Sequence, residues 1–88
     1  MVVKVEILGI NPPCKRCKQT EENARRAADK LKLEGIAATV DKLDIMSPEV
    51  TEKYGILMSP SIVINGVVKI NGKKPDHKVM MRLIREAA

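Results

Sequence analysis

Cys14 and Cys17 are the only thiols in the 88-residue chain, and they stand three positions apart in Cys14-Lys15-Arg16-Cys17. Residues at i and i+3 lie on one side of a helical turn, so on a helix this spacing brings two sulfurs together. Such a pair can exchange with a disulfide or hold a soft ion, and both uses require the thiolate. A model thiol titrates near about 8.5, falling to roughly 3.5–7.5 at helix starts and beside cations. Lys15, Arg16 and Lys18 supply that positive surrounding. Exchange assigns two roles: Cys14, following Pro13 at the start of the helix, is the attacking thiolate, and Cys17, one turn further in on the apolar stripe, is the resolving thiol.

Metal or metalloid binding is the alternative use of the same two thiolates. A structural zinc site needs four ligands, and His77, the only histidine, comes sixty positions after Cys17. Zinc would therefore lack a ligand unless the chain dimerised, which leaves a two-thiolate site for a soft ion. A third reading is a redox-inert interaction module. The intact cysteine pair argues against it.

The elements that must position these thiols are marked by local punctuation. Val2 to Leu8 is a short apolar, β-branched run ended by Gly9 and by Asn11-Pro12-Pro13, which reads as a buried strand and a loop. From Cys14 to Leu33, Cys17, Ala24, Ala27, Ala28 and Leu31 recur at helical spacing, with Gly35 placed to stop the helix. Ile36 to Leu43 reads as a second strand. Ser47-Pro48-Glu49 then opens a short helix that runs to Tyr54 before Gly55. Ser61 to Ile64, Asn65-Gly66 and Val67 to Ile70 form a hairpin signature with a two-residue turn. Pro75-Asp76 introduces a last helix with Val79, Met80, Leu83 and Ala87 on one stripe. The order is βαβαββα: an α/β fold in which a parallel crossover and a hairpin build a mixed four-stranded sheet flanked by three helices.

Composition narrows the class. A chain of this length, without low-complexity stretches, is expected to be one domain spanning 1–88. Tyr54 is its only aromatic residue, so the methionines Met46, Met58, Met80 and Met81, whose alternative use is an adaptable apolar contact surface, read as gap fillers in an aliphatic core. No apolar run approaches the roughly 18 residues of a membrane span, and the opening Met1-Val2-Val3-Lys4 lacks the order of a signal peptide. A cytoplasmic monomer without membrane association is expected. The net charge of +5 raises the question of an acidic partner, but the charges read as interleaved, as in Glu21-Glu22-Asn23-Ala24-Arg25-Arg26. With no aromatic platform for stacking, nucleic-acid binding is not expected. The face reads as solvated.

Taken together, Cys14-x-x-Cys17 at a strand-to-helix junction, the segment from Met58-Ser59-Pro60 to Asn65-Gly66, and Gly72 after the last strand resemble the glutaredoxin-sized thioredoxin-like proteins. The small archaeal and bacterial redox-active disulfide proteins are the nearest pattern, and the resemblance spans nearly the whole chain. It implies a thioredoxin fold and a protein-disulfide oxidoreductase that needs no cofactor, serving protein disulfides and drawing electrons from an upstream reductase or a small dithiol. It implies that Pro60 is cis and faces the cysteines, that the Ser59 main chain pairs with an extended substrate segment, and that Gly72 leaves room for that segment. Two departures stand out. Lys15-Arg16 replaces the Gly-Pro or Pro-Tyr of better-known members, and Pro13 replaces the usual aromatic before the first cysteine. Glu6 is the only carboxylate in the right strand for a proton relay to Cys17; the competing reading is an exposed or strand-end carboxylate. Asp76 falls where glutaredoxins hold glutathione, although its position also suits an N-cap.

Overall fold

A strand with aliphatic side chains at nearly every position can sit only where both of its faces are covered. Val2–Gly9 (β1) is that strand, buried continuously from Val5 to Gly9. In the computed structural model, which describes residues 2–10 and 15–88, it is followed by α1 (Lys15–Lys32), β2 (Ala37–Asp44), α2 (Pro48–Tyr54), β3 (Ser61–Ile64), β4 (Val67–Asn71) and α3 (His77–Ala87). The βαβαββα order read from the sequence is the order observed. The sheet runs β2-β1-β3-β4: β2 lies parallel to β1, from Val2 beside Ala37 to Gly9 beside Asp44, while β3 is antiparallel to both β1 and β4.

The boundaries shift by a residue where backbone hydrogen bonds find better partners. The helix expected to reach Leu33 ends at Lys32, because its last carbonyls are taken by tighter contacts: Leu33 N donates to Lys30 O (3.2 Å) and Glu34 N to Leu31 O (2.9 Å). Ile36, expected to open the second strand, instead donates to Leu31 O (3.0 Å), so β2 begins at Ala37. The expected helix start at Cys14 and the loop Asn11-Pro12-Pro13 lie outside the described residues. Ser47 caps α2, its Oγ accepting from Val50 N at 3.2 Å, and Pro48 occupies the first turn. Asn65 and Gly66 both take positive φ, 51° and 83°, as a type I′ turn requires. Asn65 also ties the fold together. Its Oδ1 accepts from Lys4 N at 2.9 Å, and its Nδ2 donates to Ala87 O at 3.4 Å.

Alternation along β1 divides the interior into two layers. Val3, Val5 and Ile7, with Ile62 and Ile64, face α1 and α3 and pack against Ala24, Ala27, Leu31, Met80 and Ile84. Leu8 and Val63 face the other way, against Ile45 and Val50, with Leu43, Tyr54, Leu57 and Val68 around them. The α3 stripe is centred on Met80 and Ile84, with Val79, Leu83 and Ala87 at its half-buried margin. Met80 and Met81 do fill the core as expected, but Met46 and Met58 do not: they are 75% and 70% exposed. Both belong to loops at the end of the sheet where β1 and β2 finish. None of the helices among the described residues is long and apolar enough to cross a membrane.

Candidate active site

The face of β1 that packs on α1 carries the odd-numbered residues, and Gly9 is the last of them. It sits beneath the first turn of α1, where Cys17 is wholly buried. A Cβ on Gly9 would lie 2.9 Å from Cys17 Sγ and 3.3 Å from Cys17 Cβ, closer than real side chains approach. Glycine is therefore what allows the thiol to descend onto the strand. In the sequence Gly9 reads only as the end of a strand. The overlooked signal is its place in the alternation, two residues after Ile7 on the face that receives the Cys17 helix.

Ser59 closes over the thiol from the other side. Its Oγ lies 3.1 Å from Cys17 Sγ, a contact in which either group can donate, so the hydroxyl serves the thiol and not merely a local turn. The next peptide bond, Ser59-Pro60, is cis. Pro60 is buried, and its carbonyl accepts from Gly72 N at 2.9 Å. Gly72 has φ +80°, and a Cβ there would approach the Met58 Cβ to 3.0 Å. Asn71 Oδ1 accepts from Met58 N at 2.8 Å, fixing the segment that leads into Pro60.

From α1, Arg16 reaches across this seam, Nη2 donating to Gly72 O at 3.4 Å. Lys15 and Lys18 are exposed beside it. Thr20, buried one turn later, is satisfied by donating to Arg16 O at 2.8 Å. The structure thus brings Arg16, Cys17, Ser59, Pro60 and Gly72 to one end of the sheet. Cys14 and Pro13 lie outside the described residues.

Two carboxylates fall elsewhere. Glu6 is neither exposed nor at a strand end: only 5% exposed, it accepts from Tyr54 Oη at 2.8 Å. As an even-numbered residue of β1 it faces α2, on the opposite side of the sheet from α1, so neither the exposed or strand-end reading nor the relay to Cys17 describes it. Asp76 is the N-cap of α3, accepting from Val79 N at 2.9 Å. His77 is the first residue of that helix.

Burial above all, and then the Glu6 carboxylate, holds the Tyr54 phenol above its ordinary value of 10.0. Because the shift is upward, the stability it represents is fully present below that ordinary value and is lost as pH rises through the folded one. With one tyrosine and no tryptophan in the chain, absorbance titration should show a single transition above that of free tyrosine. Glu6→Gln should lower it. An identical midpoint in both proteins would contradict the Glu6–Tyr54 contact.

A four-stranded mixed sheet with a cysteine-bearing helix packed at a cis-proline defines a thioredoxin-fold protein. The chain matches the Thioredoxin domain family over residues 3–85, and it belongs to that family. It is 39% identical over 74 residues to a protein named probable thioredoxin from Methanothermobacter marburgensis, covering 82% of this chain and 81% of that one. Its identity to a protein of the same name from Methanothermobacter thermautotrophicus is 38%, with the same coverage. A thioredoxin-like redox role follows from this membership.

Proposed function

We propose that the chain is a protein-disulfide oxidoreductase that works by reversible dithiol–disulfide exchange through Cys14 and Cys17. The reading rests chiefly on the placement of Cys17 Sγ, buried in the first turn of α1 between Gly9 and the Ser59 hydroxyl and next to the cis bond at Pro60. A resolving thiol needs that kind of setting. It must be kept from external disulfides yet held within reach of a partner one helical turn away.

The Cys14 thiolate attacks one sulfur of a substrate disulfide, forming a Cys14–substrate bond and releasing the other substrate sulfur as a thiolate. Cys17 then loses its proton and attacks Cys14 Sγ. The second substrate thiol leaves, a Cys14–Cys17 disulfide remains, and two electrons have passed to the substrate. Lys15 and Arg16 stabilise the attacking thiolate by their charge, and the Ser59 hydroxyl can donate to the thiolate that forms transiently on Cys17. The main chain of Ser59 pairs with an extended substrate segment beside Pro60, for which Gly72 leaves space.

The oxidised protein is returned to the dithiol by an upstream flavoprotein reductase or a small dithiol. Presenting it side by side with a thioredoxin reductase and with glutathione recycled by glutathione reductase, and following NADPH consumption during reduction of a protein disulfide, tests this reading. The reductase should support turnover and glutathione should do so poorly. Reduction by neither, nor by dithiothreitol, would refute an oxidoreductase role.

A further inference from the structure

The charges that read as interleaved along the sequence are segregated in space. Two short segments, residues 15–19 of α1 and residues 72–78, which run from the end of β4 into the first turn of α3, are joined by two hydrogen bonds, and a third comes from Asn23 one turn further along α1. Arg16 reaches Gly72 O (3.4 Å), Lys74 Nζ donates to Gln19 Oε1 (2.8 Å), and Asn23 Nδ2 to Pro75 O (3.0 Å). These segments hold Lys15, Arg16, Lys18, Lys73, Lys74 and Lys78, all exposed, against one carboxylate, Asp76, which is committed to capping α3. Their excess of positive charge equals the whole chain's net +5. Outside them, cations and carboxylates balance. None of the six cations pairs with a carboxylate among the described residues, whereas Glu21, the next acid along α1, is taken by Arg25 at 2.8 Å.

We infer that this basic surface is a docking site for an acidic segment flanking the disulfide of a protein substrate, so that the protein selects its disulfides by the charge around them. The inference rests on the dithiol reading above. Its geometry is that of a selector: Arg16 immediately precedes the resolving cysteine, and its guanidinium lies on the carbonyl of Gly72, at the seam beside Pro60. Unpaired cations of one sign raise the local concentration of an acidic partner and speed productive encounter. A protein segment suits the surface better than nucleic acid does. The one aromatic residue, Tyr54, lies on the other face of the sheet against Glu6 and offers no stacking platform here. Met58, 70% exposed and with its Cβ 3.0 Å from where a Cβ on Gly72 would stand, adds an apolar point of contact that a peptide side chain can use.

The test uses two peptide disulfides that differ only in their flanks, four glutamates in one and four lysines in the other. Each is mixed with pre-reduced protein, at about 0.01 M and about 0.3 M salt, between which the screening length falls from roughly 30 Å to under 10 Å. The acidic peptide should react roughly tenfold faster or more at low salt, with the ratio shrinking towards one at high salt. In Lys73→Glu/Lys78→Glu, which leaves the Lys74–Gln19 contact in place, the low-salt ratio should fall at least about fivefold. A ratio near one at low salt, or one unmoved by the substitutions, would overturn the inference. So would suppression of the acidic-peptide reaction by a micromolar RNA oligonucleotide at physiological salt, which would make the patch a nucleic-acid site. Neutral hydroxyethyl disulfide is the control that separates the two claims. Reaction with it alongside equal peptide rates defeats only the docking surface; no reaction with any disulfide defeats the dithiol reading and this inference with it.

Discussion

Replacing Cys17 with serine is expected to arrest the protein as a covalent complex with its substrate. Cys14 would still attack, but the mixed disulfide would then lack its internal nucleophile and await a thiol from solution. A thiol within the same chain has an effective concentration orders of magnitude above millimolar free thiol, so turnover should fall by roughly a thousandfold or more. A one-to-one adduct, released by dithiothreitol, should accumulate and be visible by mass. Cys14→Ser should lose turnover equally and form no adduct, since the buried Cys17 thiol cannot reach an external disulfide. Equal, partial losses from the two substitutions would contradict the assignment of attacking and resolving roles.

The second large effect is expected at Gly9. Alanine there places a methyl group 2.9 Å from Cys17 Sγ, and neither partner can yield freely: the sulfur is wholly buried against Ser59, and Gly9 is paired with Asp44 in the central strand of the sheet. Overpacking of this kind costs about 1–3 kcal/mol, or a fall in Tm of roughly 4–8 °C per kcal/mol for a domain of this size. A displaced resolving thiol should also slow exchange by about tenfold or more, because small misplacements of reacting groups are costly. Gly35→Ala provides the comparison. With φ +82° and nothing within 4 Å of its Cβ position, it should lose stability through backbone strain alone, by about 1–2 kcal/mol, and keep its exchange rate. Parallel loss of exchange in both variants would reduce Gly9 to a general structural residue.

Much of the architecture was legible because it is written in local chemistry. Ser47-Pro48, Asn65-Gly66 and Asp76 each fix a turn or cap through their own backbone and side chain, so their roles survive whatever surrounds them. The stripe of Cys17, Ala24, Ala27 and Leu31 likewise marks Cys17 for the buried face of α1 without reference to any tertiary contact. What could not be read depends on pairings between distant segments. Glu6 is an internal residue of a buried strand, a poor place for a carboxylate, and only the tertiary fold shows that Tyr54, 48 positions later, supplies its donor. The same holds for the Ser59 hydroxyl on Cys17, for Gly9 beneath that thiol, and for the concentration of charge where α1 meets the 72–78 segment. Met46 and Met58 misled for a related reason. An apolar side chain in a sequence does not reveal whether its loop turns inward or, as here, remains at the open end of the sheet.

Cys14 and Cys17 are expected to form one two-electron couple. Equilibrating the protein in dithiothreitol buffers of stepped potential, alkylating the free thiols and weighing the products tests it directly. A single transition is expected between species with two alkyl groups and none, with a slope of about 30 mV per tenfold change in redox ratio and no species carrying one alkyl group. Two separate transitions, a persistent singly alkylated form, or a protein that stays fully alkylated at every potential would contradict it.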